Sequence, residues 1–286
     1  MPTPDVFLVS SGMPSTSPAS SPASTADFPA RLAAAVSATG APLCVGLDPD
    51  PARLPSGTTL ADFSIAITES TAPFAAAFKP NLAFFEAAGL AGWQALEEVC
   101  AAVRATGRLL VLDAKRGDID STAARYATAL FDHLGGDAAT VSPYLGRDSI
   151  APFLQHAGRC SFVLAATSNP GASDLQALDV GGEPLYRHVA RLAVETGRGL
   201  PGTVGLVVGG TRPALLADLR EAHPDTPFLV PGIGAQGGSI ADVLSANAGG
   251  PVLVNASRSI LYASPGPDFA QAAADEAARL ADALRG

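Results

Sequence analysis

The chain has 286 residues, 48% of them hydrophobic and 16% charged, enough apolar side chain for a large buried core and too much for a chain disordered throughout. Its 18 Lys and Arg against 27 Asp and Glu leave a formal charge of −9, and no basic tract offers contacts to a phosphate backbone, so nucleic acid is not an expected partner. Pro or Gly interrupts every apolar run well before the roughly 20 residues that a membrane-spanning helix needs, which argues against a membrane partner as well.

Residues 1–25, ending in SSGMPSTSPASSPAST, are mostly Ser, Pro, Ala and Thr and contain no Lys or Arg. They lack the basic start of a secretory signal and any apolar period, and read as a disordered tail ahead of one catalytic domain at 26–286. From Asp27 onward, short apolar runs alternate with longer stretches rich in Ala, Leu and Arg. Eight runs read as strands: LCVGLD from Leu43, PFAAAFK from Pro73, RLLVLDAK from Arg108, AATVSPY from Ala138, CSFVLAATS from Cys160, TVGLVVGGT from Thr203, PFLVPG from Pro227 and PVLVNAS from Pro251. Helical stretches fall at 60–72, 85–106, 121–134, 184–197, 213–223, 240–247 and 268–284. Eight strand-plus-helix units in one chain of this length predict an α/β fold of the (β/α)8 TIM-barrel class, whose strands are covered on both faces and so read as nearly continuous apolar runs.

Active sites of this architecture lie at the C-terminal ends of the strands, so chemistry should appear as polar residues ending the runs. Asp48 ends the first, Lys79 the second, Asp113 and Lys115 the third, and Thr167 and Ser168 the fifth. Ser142 and Thr211 read as ordinary strand ends or caps. A strand period of two puts Leu109, Val111, Asp113 and Lys115 on one face, pointing an acid and a base into the barrel mouth. Asp113 and Lys115 could equally form a structural ion pair with Asp118 as the next helix's N-cap. Composition favours chemistry: the chain holds 16 Arg but only two Lys, Lys79 and Lys115, and an ammonium can pass a proton where a guanidinium cannot. The loops after the last two runs, GIGAQGGS and NASRS, sit where this fold holds phosphate, with Gly237 offering backbone N–H and Arg258 a fork beside Gln236. The Gly-, Ser- and Asp-rich stretch 169–183 reads as a lid. Cys44, Cys100 and Cys160 are sparse and unpaired in spacing, as in a reduced cytoplasmic protein, and His133, His156, His188 and His223 show no metal-ligand spacing.

The D-x-K-x-x-D motif of Asp113, Lys115 and Asp118 within DAKRGDIDSTA, joined to FKPNLAFFE around Lys79 and VPGIGAQGG around Gln236, resembles the orotidine 5′-phosphate decarboxylase family, in particular its bacterial subgroup with DAKRGDI. The resemblance runs from about Asp27 to the C-terminus and implies decarboxylation of orotidine 5′-phosphate to UMP with no cofactor or metal. It implies a network of Lys79, Asp113, Lys115 and Asp118 in which Lys115 protonates C6 of the pyrimidine. Asp48 would bind the ribose hydroxyls, Ser168 the pyrimidine edge, and Gln236 and Arg258 the phosphate. Asp118 and Thr122 would reach into the neighbouring protomer's site, making the enzyme a homodimer. Mg²⁺-dependent sugar-phosphate lyases share D-x-K-x-x-D but resemble this chain less, because they place a metal-binding Glu where Lys79 stands. One departure is Asp120, where the family usually has Gly. Because the tail lacks any packing signal, deletion of residues 1–23 should leave turnover and solubility unchanged, and a large loss of either on truncation would show that it packs.

Overall fold

The computed structural model describes residues 27–233 and 237–285. The tail expected at 1–25 lies outside them. In chain order the strands are β1 (Leu43–Leu47), β2 (Ala77–Pro80), β3 (Leu109–Arg116), β4 (Ala138–Val141), β5 (Cys160–Ala166), β6 (Asp179–Val180), β7 (Glu183–Pro184), β8 (Thr203–Val208), β9 (Phe228–Pro231) and β10 (Val252–Ala256). The helices are α1 (Phe28–Thr39), α2 (Leu60–Thr71), α3 (Leu82–Glu86), α4 (Gly89–Ala105), α5 (Asp120–Ala127), α6 (Arg147–Ile150), α7 (Leu185–Gly197), α8 (Pro213–Ala222), α9 (Ile240–Asn247), α10 (Arg258–Leu261) and α11 (Phe269–Arg285). Eight parallel strands close into a barrel in the order β1-β10-β9-β8-β5-β4-β3-β2, so the predicted (β/α)8 architecture is the observed one. The two remaining strands, β6 and β7, form a small antiparallel hairpin inside the segment read as a lid.

Alternation along each strand divides the apolar residues between two cores. Val45, Leu47, Phe78, Leu110, Leu112 and Val163 face outward under the helices. Cys44, Ala77, Val111, Phe162, Val207, Leu229 and Leu253 fill the barrel together with Phe28 and Leu32 of α1. Burial pushes the Cys44 thiol up to about 12 and the Cys160 thiol well above its usual value, so both are neutral packing groups. All three cysteines are free and buried. No helix among the described residues is long and apolar enough to cross a membrane.

Besides the short helices α6 and α10, which were not expected, the structure departs from the expected elements at four places. Helix α1 was not anticipated. It begins at Asp27, whose side chain caps Ala30 N, and it closes the N-terminal end of the barrel, with Phe28 edge-on to Phe162 at 5.9 Å. The helix expected at 85–106 is two helices, because the chain turns at Gly89 with a φ of 65° and α4 packs so closely on α3 that a Cβ on Gly92 would lie 1.8 Å from Phe85 O. The helix expected at 121–134 passes into a wide π turn at Thr128–His133. The lid segment carries the β6–β7 hairpin.

Asp137 fixes α1 to the barrel. Its carboxylate accepts from Arg31 on α1, from Arg159 at 2.9 Å and, at 2.8 Å, from Leu110 N on β3, and the residue is only 7% exposed. Replacing Asp137 by Ala would leave two guanidinium groups and a buried N–H without their acceptor. We expect Asp137→Ala to destabilise the fold by about 3 kcal/mol, read as a lowered midpoint in urea, whereas a midpoint unchanged from wild type would show that Arg31 does not anchor α1.

Candidate active site

With α1 closing one end, the barrel opens only at the C-terminal ends of its strands, where a cavity of about 730 Å³ lies. Strand order divides its wall into two halves. Asn255 on β10, Asp48 after β1, Lys79 on β2, Asp113 on β3 and Thr140 on β4 form a polar arc. Leu164 on β5, Val207 on β8 and Leu229 on β9 form an apolar one. Such a cavity suits a ligand with one flat apolar face and several polar edges.

At the centre of the polar arc Asp113, 9% exposed, lies between two ammonium groups. Lys79 Nζ donates to its Oδ2 at 2.6 Å and Lys115 Nζ to its Oδ1 at 2.5 Å, while Thr140 Oγ1 donates to the same Oδ1 at 3.0 Å. Burial works to raise the Asp113 pKa, but Lys79 and Lys115 outweigh it and hold the carboxyl far below the usual range. Lys79 is 4% exposed; burial disfavours its charge, yet Asp113 and Asp48 dominate and raise its pKa above the ordinary lysine value. Lys79, Asp113 and Lys115 are thus a preorganised cluster of net charge about +1 facing the cavity.

Asp113 and Lys115 converge as expected, but not through simple alternation. Leu112 pairs with Ala139 and Arg116 with Val141, so Asp113, Ala114 and Lys115 on β3 face Thr140 alone on β4. The extra residues are absorbed by a bulge in which Lys115 adopts a φ of 47°. A left-handed conformation costs a non-glycine residue about 1–2 kcal/mol. It is held by a hydrogen bond from Lys115 N to Thr140 Oγ1 at 2.9 Å. Asp120 has a φ of 43°, which accounts for a departure seen in the sequence: the position calls for a residue at ease in the left-handed region, and Asp serves where the family usually has Gly.

The other expected site residues fall into two groups. Asp48, Ser168 and Arg258 line the cavity with Lys79, Asp113 and Lys115. Asp48 Oδ1 is buried and without a hydrogen-bond partner among the described residues, as is Asn255 Oδ1. Such oxygens suit donors arriving on a ligand. Gly237 has a φ of 82° and does not line the cavity, and Gln236 lies outside the described residues. Asp118 and Thr122 also do not line the chain's own cavity. Nor is Asp118 the cap of α5: Ile119 holds that position without a side-chain bond, and Asp118 Oδ1 accepts only from Ile119 N among the described contacts, at 2.8 Å.

Several lining residues were missed in the sequence. Thr140 and Asn255 sit inside apolar runs. Tyr262 accepts from Asp50 N at 2.7 Å and donates to Asp48 O at 3.0 Å, with Arg53 stacked 3.6 Å over its ring, fixing the backbone that presents Asp48. Gln176, from the expected lid, accepts from Thr167 N and donates to Thr167 Oγ1, both at 2.8 Å, which ties that segment to the cavity mouth.

Comparison with known proteins accords with this geometry. Residues 41–274 match the model of the Orotidine 5′-phosphate decarboxylase / HUMPS family. The chain is 51% identical over 251 residues to the orotidine 5′-phosphate decarboxylase of Roseiflexus castenholzii, covering 85% of this chain and 91% of that protein. It is similar to the structure of Leishmania donovani OMP decarboxylase, with a TM-score of 0.78 and 42% identity over 91% of this chain and 99% of that one. Against Leishmania donovani UMP synthase the TM-score is 0.80 at 44% identity, over 91% of this chain and 56% of that longer one. On this combination of an extensive sequence match, a shared barrel and a lysine–aspartate–lysine cluster at its mouth, the chain belongs to the orotidine 5′-phosphate decarboxylase / HUMPS family.

Proposed function

We propose that the chain decarboxylates orotidine 5′-phosphate to UMP without metal or cofactor, and that Lys115 is the proton donor. The observation that carries this reading is Asp113 held between Lys79 and Lys115 at 2.6 and 2.5 Å. Loss of CO₂ from C6 breaks the C–C bond and leaves its electron pair in the ring plane, with no adjacent sink. The protein must stabilise that charge through space and then supply a proton. At about 4 Å and an effective dielectric near 20, an ammonium–carbanion attraction is of order 4 kcal/mol, and a proton passed from Lys115 Nζ to C6 completes UMP.

The remaining roles are those that the family resemblance implies, and the cavity lining supports three of them. Arg258, which lines the cavity, would hold the phosphate together with Gln236 and Gly237, which follow β9 in sequence. Asp48 would take the ribose hydroxyls, and Ser168, lining the same cavity as Leu164 and Val207, would read the pyrimidine edge. Binding at the remote phosphate supplies energy used at the reacting carbon. Asp113, kept ionised by both lysines, faces the departing carboxylate and aims Lys115. The family also embraces HUMPS, and the Lys79 ammonium on Asp113 separates the two readings: a divalent cation approaching that carboxylate would meet a buried positive charge. Following the ultraviolet absorbance of orotidine 5′-phosphate with purified protein in excess EDTA tests this reading. Turnover should persist, and activity that vanishes in EDTA and returns with Mg²⁺ would contradict it.

The same reading makes the enzyme a homodimer in which Asp118 and Thr122 act in the neighbour's site. Both lie away from the chain's own cavity, and the loops after β3 and β4 at that end expose Ile119, Leu145 and Tyr144, the last 82% exposed. A second copy covering these side chains would bring Asp118 to a cavity it does not reach at home. Mixing Lys115→Ala and Asp118→Ala protomers tests the arrangement. In a heterodimer one site then receives both defects and the other neither, so random co-refolding should restore about a quarter of wild-type turnover. If Asp118 served its own chain, each mixed site would carry one defect. Confirmed heterodimers without activity would remove Asp118 from the neighbour's site.

A further inference from the structure

We infer that Thr140 is a positioning residue for the proposed decarboxylation, its single hydroxyl setting both the backbone of Lys115 and the carboxylate of Asp113. The inference rests on the reading of Lys115 as the proton donor. Three observations carry it. Thr140 is the one β4 residue opposite the three-residue stretch Asp113, Ala114 and Lys115, between the paired positions Leu112/Ala139 and Arg116/Val141. Its Oγ1 accepts from Lys115 N at 2.9 Å and donates to Asp113 Oδ1 at 3.0 Å. It is 2% exposed, in a strand paired on both sides, so the hydroxyl cannot turn away to solvent.

In a regular parallel ladder the N–H of Lys115 would donate to a carbonyl of the neighbouring strand. The bulge removes that partner and turns Lys115 to a φ of 47°, and a side-chain oxygen takes the carbonyl's place. A hydroxyl has one hydrogen and two lone pairs. Here the hydrogen goes to the carboxylate that faces Lys115 Nζ, and a lone pair holds the backbone from which that side chain springs. Both ends of the Lys115–Asp113 contact are therefore referenced to one atom on β4. A β-branched side chain suits the task because its χ1 is stiff. Without the hydroxyl, Lys115 retains its charge but loses the constraint that turns it toward C6.

Two substitutions separate the hydroxyl from the shape of the side chain. Thr140→Val keeps the branched shape and removes the oxygen, whereas Thr140→Ser keeps the oxygen and removes the methyl. We expect Thr140→Val to lower kcat for orotidine 5′-phosphate roughly 10- to 100-fold with KM changed less than about threefold, and Thr140→Ser to stay within about threefold of wild type. Crystal structures of the two variants should show Lys115 Nζ displaced from Asp113 by about 1 Å or more with Val and in place with Ser. Should the Val protein fail to fold, Thr140→Ala carries the same comparison. A kcat for the hydroxyl-free variant within about threefold of wild type, a Ser variant as slow as it, or an undisplaced Lys115 would each overturn the inference. If the wild-type protein itself does not turn over orotidine 5′-phosphate, the proposed function fails, and the crystallographic comparison still decides whether Thr140 positions Lys115.

Discussion

A buried carboxylate shared by two ammonium groups is the constraint around which this site is arranged. Alone in the barrel mouth, Asp113 would be driven to protonate, and alone on β2, Lys79 would be driven to lose its proton. Each keeps the other charged, and Lys115 adds the second cation that leaves the cluster positive toward the cavity. Removing Asp113 would leave the buried Lys79 ammonium without its carboxylate and facing a second cation, whereas removing either lysine would leave a neutral pair and cancel the cluster's positive charge. A cluster of net positive charge fixed before any ligand arrives is suited to stabilising negative charge that develops during a reaction, because no reorganisation is needed at that moment.

The rest of the fold holds that cluster still and gives it one direction to face. Phe28 and Leu32 of α1 fill the opposite end of the barrel, with Arg31 and Asp137 locking the helix in place, so a ligand enters from the C-terminal side alone. Beneath the site the barrel is packed with Cys44, Val111, Phe162 and their neighbours, a low-polarity base that strengthens the charge interactions above it. The polar arc from β10 through β4 and the apolar arc of β5, β8 and β9 then fix how a flat, half-polar ring would lie. Gln176 ties the segment after β5 to Thr167, so that segment is fixed to the wall of the cavity.

Much of this was legible in the sequence because the physical signals were strong. A parallel strand covered on both faces reads as an apolar run, and all eight runs became barrel strands. The rarity of Lys beside abundant Arg marked Lys79 and Lys115, which the structure places on one carboxylate. What escaped reading depended on departures from regular geometry. Strict alternation gave the right neighbours for Asp113 but not the bulge that turns Lys115, since a register shift arises between strands and leaves no mark on either alone. Thr140 and Asn255 were passed over because a single polar residue inside a strand run resembles any other β-former until its partners are known. Helix α1 went unread although Asp27, Phe28 and Pro29 carry an N-cap and an early Pro, because its apolar face is short and Ala-rich. Asp118 looked like a cap by position, and only the hydrogen bonds of α5 show that it is not.

The central claim is that Lys115 gives a proton as well as a charge, and Lys115→Arg separates the two. Arginine keeps a cation near Asp113 but does not release a proton in the working pH range. Single-turnover decarboxylation of orotidine 5′-phosphate should fall on the order of 10²- to 10⁴-fold, the usual contribution of a positioned general acid, with UMP affinity retained. A Lys115→Arg enzyme that keeps more than about a tenth of the wild-type rate would show that charge alone suffices and that the proton comes from elsewhere.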